Sequence, residues 1–219
     1  MSERYWRSLD IIHPSVCNET VFIIGAGATG SFTALTLAKM GMKNITVYDD
    51  DFVENHNLPN QLFPIRMLGM NKALAVKELV KDFTDVDITA IPEKYKGEEL
   101  SGVVISALDS MIGRKLIYKQ CKDNLRVRVL IDPRTGAEMF RLLTLNPNLY
   151  DKCEKYKETL HSDGEALRVP CTAQSIIYSV LLVSSRICHQ VKRLLMNEEY
   201  QEDIFVDLKN DYQYACKVI

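Results

Sequence analysis

Short β-branched runs alternate with longer stretches of helical period, and the alternation is regular from Val21 to Ile131. Val21–Ile24, Asn44–Tyr48, Val86–Ile91, Val103–Ala107 and Arg126–Ile131 read as strands. Between them Ser31–Met40, Lys72–Phe83 and Met111–Lys122 carry apolar residues at helical spacing, and Gly41 is placed to stop the first helix. Strands that alternate with helices predict a parallel sheet covered on both faces. After Asp132-Pro133-Arg134-Thr135-Gly136, which reads as a turn, the pattern changes. Glu138–Leu145 reads as a strand in hairpin relation to the one before it. Ile204–Leu208 and Tyr212–Val218 read as a second hairpin around Lys209-Asn210-Asp211. The expected fold class is therefore α/β: a Rossmann-like, mainly parallel sheet extended by antiparallel C-terminal strands. Tyr150–Val169, polar and irregular, is expected to cross the surface as a loop. A helix from near Thr172 carries Ile176, Val180, Val183, Ile187, Val191 and Leu194 on one face, as a core helix would. Arg186, His189, Lys192 and Arg193 form its solvated side, which leaves His189 little prospect of acting as a base.

The first strand runs into Gly25-Ala-Gly27-Ala-Thr-Gly30 and then into a helix. In such a junction Gly25 allows the tight turn, Gly27 lets the backbone approach a phosphate, and Gly30 permits close helix–sheet packing. The helix N-terminus offers N–H donors and a partial positive charge to an anion. Asp49, about 20 residues past the last glycine, ends the second strand where a carboxylate accepts hydrogen bonds from ribose hydroxyls. This much fits an NAD(P)-dependent oxidoreductase. The stretch from Asp50 to Gln61 does not. It is dense in carboxylates and amides, which suit a triphosphate with a metal ion rather than hydride transfer.

At these residues the chain resembles the ThiF/MoeB-type superfamily of activating enzymes, which includes the ubiquitin-activating enzymes. That pattern is a glycine loop, then "D-x-D-x-V-x-x-S-N-L-x-R-Q", "G-x-x-K" and, at a later strand end, "A-x-D". It is matched by Asp49, Asp51, Val53, Asn57, Leu58, Gln61, Gly69, Lys72 and Ala107-Leu108-Asp109. An N-terminal "R-Y-x-R-Q" is matched by Arg4-Tyr5-Trp6-Arg7-Ser8. The resemblance runs from about Arg4 to Lys192. It implies binding of ATP and Mg²⁺ and adenylation of the C-terminal carboxylate of a small ubiquitin-like or sulfur-carrier-like protein or peptide. It also implies a homodimer in which Arg7 reaches the partner's site. Two positions depart from the pattern. Asn60 stands where the family has an arginine before the glutamine, and the paired Cys-x-x-Cys of many relatives is absent.

Adenylation asks the protein to neutralise phosphate charge and position reactants. Lys72, opening a helix after Gly69, is the clearest cation for that work. Asp109, at the carboxyl edge of the sheet, is placed to hold Mg²⁺ or to cap the helix after it. Asp51 is a second metal-side carboxylate, and Asp50 reads as a solvated turn residue. Asn57 and Gln61 can donate to phosphate oxygens without adding charge. Arg114, one turn into its helix, reads as structural. Cys171, after Pro170 at a helix start, could accept an acyl group, since such a position lowers a thiol's pKa. If another arginine replaces the one missing at Asn60, Arg134 and Arg66 are the candidates, with Arg134 favoured by its place after a strand end.

At 219 residues with 47% hydrophobic content, the chain can bury one substantial core, and a single domain over 1–219 is expected. A net charge of −2 argues against a nucleic-acid or membrane-surface partner. The polar start MSERYWRSLD has no signal-peptide core, and the six scattered cysteines show no metal-ligand spacing. A cytoplasmic protein with reduced thiols is the expectation. Beside the adenylating enzyme and the oxidoreductase stands a third reading, a binding module that kept the nucleotide pocket but lost turnover.

Overall fold

The computed structural model describes residues 3–160 and 175–216. Eight strands form one sheet: β1 (Val21–Ile24), β2 (Ile45–Tyr48), β3 (Thr89–Ile91), β4 (Gly102–Ser106), β5 (Val127–Gly136), β6 (Met139–Leu145), β7 (Asp203–Asp207) and β8 (Tyr212–Cys216). Five helices accompany them: α1 (Ala28–Lys39), α2 (Lys72–Thr84), α3 (Met111–Cys121), α4 (Tyr150–Glu158) and α5 (Ile177–Leu195). The strand order is β3-β2-β1-β4-β5-β6-β7-β8. The first five are parallel and the last three antiparallel, as the alternating pattern followed by hairpins predicts. The chain leaves β1 toward β2 and β3, then returns to β1's other side at β4. That reversal is the switch point where ligands of open α/β sheets bind.

Strand parity sorts the core into two layers. Val103 and Ile105 of β4 face α1, α2 and α5 with Ile23, Val47 and Ile131, whereas Val104 faces α3 and α4 with Ile24, Leu130 and Ile117. Every residue of β4 is buried, the mark of a central strand covered on both sides. On α5, Val180, Val183, Ile187 and Val191 have no exposure, so each contributes roughly 1.5–3 kcal/mol of burial.

Four expectations are corrected. Asp132–Gly136 is not a turn but the second half of β5, paired to β6 from Asp132↔Leu143 to Gly136↔Met139. Pairing with β4 ends at Ile131, so Pro133 sits where β5 has one neighbour and its missing N–H is tolerated. The bend falls instead at Ala137, which has a φ of 51°. Within Tyr150–Val169 the segment to Glu158 is the helix α4, anchored by buried Cys153 and Tyr156. The long core helix begins at Ile177, because Ile176 is still extended (φ −84°, ψ 152°). Val86–Ile91 shortens to Thr89–Ile91.

Candidate functional site

The cleft at the switch point has a volume of about 430 Å³ and is walled by the β1–α1 loop, the ends of β2, β4 and β5, and the start of α2. Local chemistry shapes each wall. Gly25 has a φ of +104°, and a Cβ there would lie 2.4 Å from the Ala107 carbonyl oxygen. A Cβ on Gly30 would lie 1.9 Å from the Gly25 carbonyl oxygen, so α1 can approach β1 only without a side chain there. At Gly27, the N-cap of α1, a Cβ would meet no protein atom. The space beside it is the cleft. Ala28 and Thr29, in the first turn of α1, line the same cleft with amide donors no helical carbonyl can reach.

Asp49 ties the glycine loop to the acidic loop. Its carboxylate accepts from the Ala26 amide at 2.6 Å and from the Asp51 amide at 2.8 Å. Burial raises its pKa above the usual carboxylate value; those two amides and the charge of Lys72 pull it back, while Asp51 adds to the rise. Lys72 opens α2 with its side chain almost buried and donates to Asp51 Oδ2 at 2.9 Å. Asn71 belongs to this wall as well, and its one mark in the sequence is that an asparagine just before a helix is a cap signal. It accepts from the Leu74 amide and donates to the Asp49 and Asp51 carbonyls at 2.9 and 3.1 Å, which fixes the acidic loop against α2.

Asp109 is exposed at the cleft, just past the end of β4. The cap of α3 is Ser110, whose hydroxyl accepts from the Gly113 amide at 3.2 Å, so Asp109 is not the capping residue. Among the described residues its carboxylate has no hydrogen-bond or ion-pair partner. Gln61 also lines the cleft, and its buried Oε1 is unpartnered among the described residues.

Of the other residues singled out in the sequence, Arg114 and Arg134 share the cleft, and several described ones lie elsewhere. Asn57 is buried outside the cleft lining and accepts from the Glu54 amide at 2.9 Å, capping a short 3₁₀ turn. Asn60 donates to the Ser175 carbonyl at 3.1 Å rather than facing the cleft. Arg66 is paired with Asp82 and Glu78 on the exposed side of α2. Arg134 lines the cleft. Arg7 is exposed in a 3₁₀ helix, Glu3–Ser8. That helix is anchored where Arg4 donates to the Thr84 carbonyl, at the end of α2, and where Tyr5 packs near Gly41, just past α1. Both helices start at the cleft, and the 12 residues of α1 span about 18 Å. Arg7 therefore sits about a helix length from its own cleft. His189 also lies away from the cleft, and burial, then Arg193, Arg186 and Lys192, lower its pKa. Cys171 lies outside the described residues.

A mainly parallel sheet whose switch point carries a glycine loop, a lysine and carboxylates at its strand ends is a fold of the Rossmann type. The chain belongs to the ThiF family, whose model matches residues 15–197. Among similar proteins, SUMO-activating enzyme subunit 2 of Dictyostelium discoideum is 31% identical over 134 residues, covering 55% of this chain and 20% of that protein. Sulfur carrier protein ThiS adenylyltransferase of Escherichia coli (strain K12) is 31% identical over 126 residues, 57% of this chain and 47% of that one. The chain thus spans about a fifth and about half of these relatives' lengths. A crystal structure of E. coli MccB with ATP superposes with a TM-score of 0.77 over 98% of this chain and 71% of its own, at 15% identity, and shares the fold. No helix among the described residues is long and apolar enough to cross a membrane.

Proposed function

We propose that the protein is an ATP- and Mg²⁺-dependent adenylating enzyme. Its acceptor is the C-terminal carboxylate of a small ubiquitin-like or sulfur-carrier-like protein, or of a peptide. The observation that carries this reading is the convergence of the glycine loop, Lys72 and Asp109, which has no partner among the described residues, on one cleft. A dehydrogenase has no use for that lysine and that aspartate beside the pyrophosphate turn. The names of the relatives and the ATP complex of the similar fold support the same reading.

The donors present fit a hard divalent cation. Asp109 offers an exposed carboxylate at the cleft, and Asp49, Asp50 and Asp51 bring carboxylate oxygens within 4.8 Å of one another. Bound Mg²⁺ would supply charge neutralisation at the phosphate oxygens. The chain's own residues do the positioning. The first turn of α1 presents amides to the phosphates, Asp49 holds the ribose side, and Lys72 stands as a point charge held in place by Asp51. Asp109 holds the metal side of the phosphates. In the reaction an acceptor carboxylate oxygen bonds to the α-phosphorus while the α–β anhydride bond breaks. The electron pair of that bond leaves with pyrophosphate. Given ATP and a small protein ending in a free carboxylate, the protein should release pyrophosphate as an acyl-adenylate forms. Amidation of that terminus should abolish the release; release indifferent to amidation would remove the reading.

We further propose a homodimer in which Arg7 serves the neighbour's cleft, because its own lies a helix-length away. Mixing an Arg7→Ala chain with a Lys72→Ala chain should then restore part of the lost activity. In the heterodimer one cleft has both its own Lys72 and the neighbour's Arg7. Confirmed heterodimers with no recovery would place Arg7 in its own subunit's site or outside the reaction.

A further inference from the structure

The wall of the cleft formed by β5 is backed by a buried ionic cluster. Asp132 has no exposure, and its carboxylate meets two guanidinium groups. Arg114 donates to Oδ1 and also to the Leu108 and Pro133 carbonyls, which leaves it no freedom to move. Arg134 donates through Nε to Oδ2 at 2.8 Å, and the Tyr156 hydroxyl donates to the same oxygen at 3.0 Å. Burial, with the Asp132 charge adding to it, drives the Tyr156 pKa well above its ordinary value, so that hydroxyl stays neutral. Two arginines share one carboxylate. The cluster carries a net charge of +1.

That excess charge cannot spread into solvent, since the side chains of Arg114, Asp132 and Arg134 are 6%, 0% and 15% exposed. A half-dry unbalanced cation is costly unless an anion faces it. Arg114 and Arg134 both line the cleft, and Arg134 is the more exposed of the two. Its fork is fixed from behind: Nη1 donates to the Thr159 carbonyl at 2.9 Å and Nη2 to the Thr159 hydroxyl at 2.8 Å. Among the described residues, Asp132 and Thr159 together take no more than four of its five N–H groups, which leaves at least one to face a ligand. Asn60, at the position of the missing arginine, is uncharged and turned away to the Ser175 carbonyl.

We propose that Arg134 is a phosphate-binding residue of the cleft, the cation that Asn60 does not supply, and that Asp132 and Thr159 position it. The proposal rests on the adenylation reading only in taking the anion to be the phosphates of ATP. Inorganic tripolyphosphate is therefore the first probe, read by calorimetry. Arg134→Gln should weaken tripolyphosphate and ATP alike by about tenfold or more, and leave adenosine binding unchanged. Arg134→Lys, which keeps the charge but not the fork that Asp132 and Thr159 hold, should bind both more tightly than the Gln variant and more weakly than the parent. Equal binding of tripolyphosphate by the parent and the Gln variant would overturn the proposal. So would a loss in the Lys variant as deep as in the Gln variant, because the role would then lie in the contacts with Asp132 and Thr159. Should the parent bind tripolyphosphate through Arg134 yet prefer it to ATP, the anion site stands and the adenylation reading falls.

Discussion

Asp109→Asn should lower acceptor-dependent pyrophosphate release by about 100-fold or more while leaving the fold intact. The substitution removes a charge and keeps the volume. In the folded chain that charge has no partner among the described residues and does not cap α3, where Ser110 accepts the Gly113 amide. Its loss should therefore change stability by less than about 0.5 kcal/mol, the usual range for an exposed position away from such features. The effect belongs to the loaded cleft. An aspartate facing phosphate oxygens is needed when a divalent cation stands between them, and an amide is a much poorer ligand for that ion. Calorimetry resolves the point apart from turnover: ATP binding by the variant should lose most of its dependence on Mg²⁺. A variant that retains both near-normal release and that dependence would make Asp109 an ordinary surface carboxylate.

Lys72→Met should be of similar depth and different in kind. The lysine side chain is 10% exposed and its ammonium rests 2.9 Å from Asp51 Oδ2. Methionine fills nearly the same space. Asp51 is 70% exposed, so water can take over its lost partner, and the pair itself contributes at most about 1 kcal/mol. The catalytic loss should be much larger, about 100-fold, because a point charge aimed at the phosphates is missing where water is partly excluded. Lys72→Arg should not rescue it, since the planar fork cannot occupy the place of a compact ammonium enclosed by the acidic loop and α2. Activity in the arginine variant close to the parent would show that only net charge matters here.

The parts of this fold written most plainly in the sequence are those where backbone geometry forbids other residues. Gly25 and Gly30 are there because a Cβ would strike the Ala107 and Gly25 carbonyls, and that need leaves a readable mark. Gly41, with a φ of +107°, closes α1 for the same kind of reason. The strands β1, β2 and β4 are short apolar runs buried on both faces, which the residue pattern gives away. The hidden parts depend on neighbours distant in the chain. The second half of β5 contains Asp132 and Pro133 and so looks like a turn; it is a strand because β6 pairs with it and β4 has already ended. The helix α4 buries only Cys153 and Tyr156 among charged residues, too narrow an apolar face to show a helical period.

The site divides in the same way. Asp49, Lys72 and Asp109 stand at element ends, where position in the strand–helix order already assigns them to the sheet's ligand edge. Gln61 shares that edge. The pattern misplaces Asn57 because an amide in a polar loop looks equally suited to a phosphate and to a cap, and here it caps. The Asp132–Arg114–Arg134–Tyr156 cluster joins β5, α3 and α4, and no spacing along the chain announces that meeting. Arg134 is legible as a residue after a strand end, but its net positive surroundings are not.

We propose that this cleft takes the triphosphate of ATP with a divalent cation, rather than a dinucleotide. Titration of the protein with ATP and with NAD, each with and without Mg²⁺, tests it most directly. ATP should bind more tightly, enhanced by at least about tenfold when Mg²⁺ is present, and NAD weakly and independently of Mg²⁺. Tighter binding of NAD, unaffected by Mg²⁺, would contradict it.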